Sequence, residues 1–510
     1  MENSIFFSMQ MRLRILLFWS VFWVMCGTSG AAPVVGSERT RNLQGLEHSP
    51  MLMEYHRQTV GEDRQFFTYP RRDYGFIRNF TRTESGAMMF MADTTGEFFG
   101  RNHSFGVAAS PVFGAEYRGS ESLGDTLWPS FDGGIYLRGY ADSLDFDLDA
   151  RMYAGEHSAK KPKSFDGEVF DVQTKEGNAG ADYVSYSRYR AHMALNYAWA
   201  RLQLARDVLH WGPGYYNNLS LNQFALPYNM LSLDLTFGPL RVFSVYADLR
   251  VDSWSYSRNN LNDRNLYAHR YELALGNLTI GMSEIQVLYN ENKPWLFVPI
   301  APLFIEKGNY TERVNNGALA LDLNYRLFSA VRLYGEFFLD DLESPNAVYE
   351  NKYSNNRWAG MLGLQAGHDF YIGQKRLSAG TIAEIARVEP YTYCHYDTAH
   401  AQLANLGAPL GNPNGPNSLS VDWTVYAQAG LGSLGQLFAG VHQKWLWKGT
   451  DAGSNIEDPY KTVRKRFAHG APLVYTVAPT LGYNGRFVSF SGELTLGDVR
   501  AADVRISFMW

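Results

Sequence analysis

The residues best suited to chemistry lie together in Arg206-Asp207-Val208-Leu209-His210-Trp211-Gly212-Pro213-Gly214, followed by Tyr215, Tyr216, Asn217, Asn218, Asn222 and Ala225-Leu226-Pro227. Gly212-Pro213-Gly214 must turn the chain, because proline gives up its N–H and glycine admits positive φ. Such a turn would hold Trp211, Tyr215 and Tyr216 near a rim. Aromatic rings there stack on the CH faces of sugars, while Asp207, Asn217, Asn218 and Asn222 hydrogen-bond hydroxyls. Arg206 and His210 complete this candidate glycan site. The same residues suit an aromatic girdle and a loop folded inward for packing, and the sequence leaves both readings open.

A second group is spread along the chain: Arg190, His192, Arg201, Arg206, Asp322, Arg326, Arg332, Glu336, Asp340, Glu384, Asp422, Glu493 and Arg505. Each alternates with apolar neighbours, so the charges of both signs are expected on the inner face of a closed sheet. There they either bridge a lumen and close it to all but small solutes, or form a solvated network that stiffens the wall. No Ser-centred elbow or His-Glu-x-x-His is present, and Glu336 and Asp340 are explained by lumen polarity, so no enzyme and no cofactor is expected. Cys394, His395, Asp397 and His400 are metal-ligand types at a spacing that matches no standard site.

The elements that must position these residues are strands. Tyr189, Ala191, Met193, Leu195 and Tyr197 fall on one face, with Arg190, His192 and Asn196 opposite. Leu319 to Leu327, Val331 to Leu339, Leu419 to Ala427 and Val488 to Leu496 repeat the pattern, each near the ~10-residue length of a tilted membrane strand. The final residues, Asp503 to Trp510, alternate too, with Val504, Ile506, Phe508 and Trp510 on the apolar face. A chain that stops on an aromatic residue in such a strand is similar to the terminal assembly signal of outer-membrane β-barrels, whose last strand ends on the periplasmic side. Counting back, the periplasmic connections are tight: Asn484-Gly485, Gly432 to Gly435, Ile372 to Lys375, Phe328 to Ala330, Gly276-Asn277 and Gly238-Pro239. The outward connections are long and polar: 448–471, 388–418, 341–357, 290–316, 251–267, 207–228 and 155–185. The spacing predicts an all-β, antiparallel, up-and-down transmembrane barrel of about eighteen strands over residues 104–510.

Composition agrees. Aromatics make up 15% of the chain, with 32 Tyr, 31 Phe, 12 Trp and 47 Gly, yet the mean hydropathy is only -0.27, as alternating lipid-facing and lumen-facing residues require. The net charge of -5 offers no basic surface for nucleic acid. Ile15 to Cys26, after Arg12 and Arg14 and before Gly27 to Ala32, reads as a secretory signal peptide within residues 1–30. Its removal would leave Cys394 without a partner for an intramolecular disulfide. Residues 31–103 read as a short irregular or helical segment, periplasmic or plugging the barrel.

The ordered series from Arg206-Asp207 through Trp211-Gly212-Pro213-Gly214 and Ala225-Leu226-Pro227 resembles the capsule assembly proteins of the Wzi family. The likeness continues through Ser283-Glu284, Pro299 to Phe304, Asn315-Asn316-Gly317, Glu336…Asp340-Asp341, Arg387 to Tyr393, and Pro409-Leu410-Gly411 to Gly415-Pro416, over about residues 105–510. The amino-terminal region departs from it, without the longer helical segment that some members carry below the barrel. The resemblance implies an eighteen-stranded outer-membrane barrel that anchors capsular or other surface polysaccharide as a non-enzymatic lectin. The alternative is a porin for sugars or other small solutes. The partners expected are surface polysaccharide, outer-membrane lipid and lipopolysaccharide, and the barrel assembly machinery, for a monomer in the cell outer membrane.

Overall fold

The computed structural model describes residues 68–69, 90–98, 101–120, 126–156, 171–172, 183–225, 227–250, 264–289, 291–300, 302–309, 315–328, 330–341, 356–373, 375–396, 401–405, 407–431, 435–459, 465–484 and 488–509. The expected signal peptide, most of residues 31–103, Asp397, His400 and Trp510 lie outside them.

Eighteen antiparallel strands close into a barrel. They are β1 (Arg101–Ser120), β2 (Thr126–Ala141), β3 (Leu144–Glu156), β4 (Tyr183–Asn196), β5 (Ala200–Asp207), β6 (Tyr228–Phe237), β7 (Leu240–Leu249), β8 (Arg264–Leu275) and β9 (Leu278–Tyr289). The second half comprises β10 (Asn315–Phe328), β11 (Val331–Asp341), β12 (Arg357–Ile372), β13 (Lys375–Val388), β14 (Ser418–Gly430), β15 (Gln436–Lys448), β16 (Leu473–Asn484), β17 (Val488–Gly497) and β18 (Ala501–Met509). Each strand pairs with the next, and β18 pairs back on β1, with Met509 opposite Val112 and Ala501 opposite Ser120. Phe90–Phe98 pairs with the start of β1, Phe98 opposite Arg101. Strand structure therefore begins inside the segment expected to precede the barrel.

The tight connections are hairpins where the sequence places them. At Gly276, between β8 and β9, φ is +60° and a Cβ would meet nothing; the backbone angle, not space, is what calls for glycine there. The outer face is an apolar belt, with Leu202, Leu204, Leu321, Leu323, Leu333, Phe337, Leu362 and Val425 among its exposed side chains. On a water-soluble protein such a belt would drive aggregation; on a closed barrel it is the surface that hydrocarbon wets. Aromatic rings mark its limits. Tyr197, Trp199, Phe237, Phe370 and Tyr371 lie at the short-turn end, with Trp199 stacked on Phe237 at 5.9 Å. Trp358 and Trp445 lie toward the long-loop end, with Trp445 5.2 Å from Tyr475. The buried apolar cluster is inside the barrel, and loop residues Leu209, Trp211, Leu219, Tyr393, Leu403 and Leu410 supply much of it.

Candidate functional site: a lumen filled by its own loops

The connection from Asp207 to Tyr228 turns into the barrel. Val208, Leu209, His210, Trp211, Asn217, Asn218, Leu219 and Asn222 are all buried, and Tyr215 and Tyr216 nearly so. Trp211 is not at the rim: its ring meets Phe243 edge-on at 5.7 Å and is 0% exposed. Of the two readings the sequence left open, the inward fold is the one observed, because these apolar rings are shielded from water only in the lumen. Gly212 has φ +111°, and a Cβ there would approach Glu336 and Asn218 at about 3 Å, so this turn admits glycine alone. Thr68–Tyr69 pairs antiparallel with His210–Trp211, which brings a piece of the amino-terminal segment to the same place.

The wall holds this plug through carboxylates. Glu384 on β13 accepts the backbone N–H groups of Tyr215 at 2.5 Å, Tyr216 at 2.9 Å and Asn217 at 2.9 Å. Its Oε1 also accepts the Tyr334 hydroxyl at 2.8 Å. Glu336 on β11 accepts Leu219 N–H at 2.7 Å and Ser220 N–H at 2.9 Å. Arg332 donates to Pro213 O at 2.9 Å, Asn324 Oδ1 at 3.1 Å and Gln365 Oε1 at 2.6 Å. A loop taken out of water must satisfy its backbone donors, and here the carboxyl oxygens of the wall accept them. Asn217 bridges to Asp422 on β14 at 2.9 Å, and Asp422 accepts from His442 at 2.9 Å.

A second loop lies on the first. Tyr393 N–H donates to Asp340 Oδ2 at 2.7 Å, the Tyr393 hydroxyl to Leu219 O at 2.8 Å, and Asn222 N–H to Leu410 O at 2.7 Å. A third lies on that: Cys394 Sγ donates to Asn455 O at 3.3 Å and Tyr391 N–H to Gly453 O at 2.9 Å. Among the described residues no group of His, Cys, Asp and Glu is placed to hold a metal.

The remaining sequence candidates divide. Arg190 meets Asp207 at 3.5 Å and Arg201 meets Asp145 at 3.1 Å across the inner wall. His192 sits between Asp145 at 2.8 Å and Asp147 at 2.9 Å. Asp322 pairs with Arg270, and Arg505 approaches Asp132 at 3.9 Å. Thr480 Oγ1 donates to Glu493 at 3.2 Å. Arg326 is at the short-turn end, donating to Asn277 Oδ1 at 2.9 Å. Arg206 points outward and lies over the Tyr189 ring at 4.9 Å. Arg201 and Arg206 are five residues apart, so one strand cannot turn both to the same face. Sequence reasoning passed over Arg270, Glu272, Asp149 and Arg151. The signal was present, because Arg270 with Glu272 and Asp149 with Arg151 are two apart and so share a face; both pairs are bonded, at 2.8 Å and 2.9 Å.

No family model matches the chain, and no curated protein sequence matches it. Among solved structures it is similar to Wzi, an outer-membrane protein involved in group 1 capsule assembly in Escherichia coli and a carbohydrate-binding β-barrel. The TM-score is 0.50 at 13% identity, over 78% of this chain and 84% of that one. The fold is that of an outer-membrane β-barrel. A BenF-like porin from Pseudomonas fluorescens Pf-5 aligns with TM-score 0.43 at 8% identity, over 79% and 98% of the two chains. OccAB2 from Acinetobacter baumannii aligns with TM-score 0.42 at 9% identity, over 79% and 98%.

His210 ties the outer-membrane barrel's plug to pH. Its Nδ1 bonds Gln223 Oε1, its Nε2 accepts Asn218 Nδ2–H at 2.9 Å, Asn218 Oδ1 accepts Gly214 N–H at 2.6 Å, and Gln223 donates to Tyr215 O at 2.7 Å. Both ring nitrogens are thus used in the neutral form. Burial, with smaller repulsions from Arg270 and Arg332, pushes its pKa down to about 4. An undocked loop would carry a His near 6.5. Docking is therefore fully favoured above about 6.5 and weakens as pH falls toward about 4, by roughly two orders of magnitude across the window. In planar bilayers, openings should become more frequent over that range, and a His210→Asn variant should lose this pH dependence.

Proposed function

We propose that the chain is a non-enzymatic outer-membrane barrel that binds surface polysaccharide and retains it at the cell, a role of the kind Wzi has in group 1 capsule assembly. The occupied lumen carries this reading. Five backbone N–H groups of one loop end on two wall carboxylates, and two further loops are layered above, so the outer surface is what the molecule offers. That surface presents Tyr396, 59% exposed and 4.1 Å from the His395 ring, together with exposed Asn455 and Glu457. An exposed tyrosine face is suited to stacking on a sugar, and exposed amide and carboxylate groups to bonding its hydroxyls. On this reading the chain works as a monomer among lipopolysaccharide, placed by the barrel assembly machinery, and needs no cofactor.

A second reading, passage of small solutes, is favoured by one observation: the contacts described between plug and wall are hydrogen bonds, ion pairs and apolar packing, all of them reversible. Surface glycan is the test. Deleting the gene should release polysaccharide into the medium. Wild type should restore retention, and a Tyr396→Ala/Asn455→Ala variant, assembled by heat-modifiable migration, should restore clearly less. Unchanged glycan on deletion, with steady conductance of the purified protein, would replace this reading by the porin one.

A further inference from the structure

Alternation decides which way each wall residue points. Arg270 on β8 faces inward and bonds Asp322, so Tyr267, His269 and Tyr271 face outward. Opposite them in register, Ser244 and Tyr246 on β7 and Met282, Glu284 and Gln286 on β9 face outward too, as does Leu288 two residues on. Ser244, His269, Glu284 and Gln286 would then be polar groups against hydrocarbon, which is unfavourable without hydrogen-bond partners. All four are buried. The cover is supplied by residues 291–300 and 302–309, with a 3-10 turn (Pro294–Phe297) and a short helix (Leu303–Asn309).

These residues lie on the outside of the wall. Ser244 Oγ donates to Phe297 O, His269 Nε2 to Leu296 O at 2.8 Å, the Tyr271 hydroxyl to Pro299 O at 3.0 Å, and Leu303 N–H to Glu284 Oε2 at 3.3 Å. Leu296 and Leu303 pack on Tyr267 and Leu288. The contacts descend: the Tyr267 hydroxyl bonds Asn292, His269 bonds Leu296, and Tyr271, the eighth of the twelve residues of β8, bonds Pro299. The chain thus reaches well down a membrane-spanning strand before it returns. Its top carries the Glu291–Lys293 ion pair at 2.7 Å. Its lower outer surface is Val298, Ile300, Phe304 and Ile305, with Ile300 85% exposed and no charge among them. That surface continues the apolar belt of Ile280, Met282, Leu321 and Leu323 on β9 and β10.

We propose that residues 291–309 form a strap inserted in the outer leaflet, with acyl chains as its partner, that seals a polar seam of the barrel wall from lipid. Continuity with the lipid-facing belt, through exposed Val298, Ile300, Phe304 and Ile305, fixes the partner as hydrocarbon. The inference does not depend on what the outer loops bind. Nitroxide labels at Ile300→Cys and Phe304→Cys, in a Cys26→Ser/Cys394→Ser background, test it in assembled protein in lipid bilayers; Val298→Cys replaces either if assembly fails. Collisions with oxygen relative to a water-soluble nickel chelate should match a Leu323→Cys label on the wall and exceed an Asn455→Cys label on the outer loop several-fold. Labels that behave like Asn455 would place the strap in water and overturn the proposal. Labels shielded from both reagents would overturn it equally, showing a second copy or another protein on this face.

Discussion

Replacing Glu336 and Glu384 together by alanine should turn a silent barrel into a conducting one. Glu384 receives the N–H groups of three consecutive plug residues, Tyr215 to Asn217, and Glu336 those of Leu219 and Ser220. The abandoned donors would be buried without acceptors, at a cost of about 1–3 kcal/mol each. Even with partial rescue by water, docking should lose about 5 kcal/mol, which takes a displaced plug from rare to common. The barrel itself should still assemble, because the strand ladders do not involve these side chains. Single-channel recording checks this: frequent openings in the double variant and few in wild type are expected. A double variant that assembles and stays silent would mean that the remaining contacts, Arg332 to Pro213 O, Asn217 to Asp422, Trp211 on Phe243 and the upper loop through Tyr393 and Leu410, hold the plug without the two glutamates.

Asp322→Ala should weaken the wall itself. Arg270 is fully buried and donates to both oxygens of Asp322, at 2.7 Å and 3.0 Å, to Glu272 Oε1 at 2.8 Å and to Ser283 Oγ at 2.9 Å. The cluster is tightly filled, since a Cβ on Gly281 would fall 2.4 Å from Asp322 and 2.5 Å from Arg270. Removing one partner of such a pair leaves a guanidinium with half its compensation, at a cost of about 3–5 kcal/mol. The temperature at which the folded band converts on a heat-modifiable gel should fall clearly, while Asp322→Asn, which keeps one acceptor, should fall less. An Asp322→Ala protein that melts with wild type would show that Glu272 alone neutralises Arg270.

The sequence by itself determined the wall. Alternation over Leu319 to Leu327 and Val331 to Leu339, and tight turns such as Gly276-Asn277, are local signals with a fixed period, so strand direction, facing and the count of eighteen could be read residue by residue. The inward placement of Asp322, Glu336 and Glu384 followed from the same rule, and the misplacement of Arg206 came from not applying it. What those inward charges meet, and where the long connections go, emerges from packing. Residues 207–225 turn into the lumen, and 291–300 with 302–309 lie on the outer wall, though both are rich in aromatic residues and glycine or proline. What separates them is a partner remote in sequence: Glu384 stands 167 to 169 residues from the N–H groups it accepts, and the outward polar seam of Ser244, His269 and Glu284 is visible only once three strands are set in register. Local periodicity says which face a side chain takes. It does not say what will fill the space in front of it, because that depends on which distant loop satisfies the most buried polar groups there.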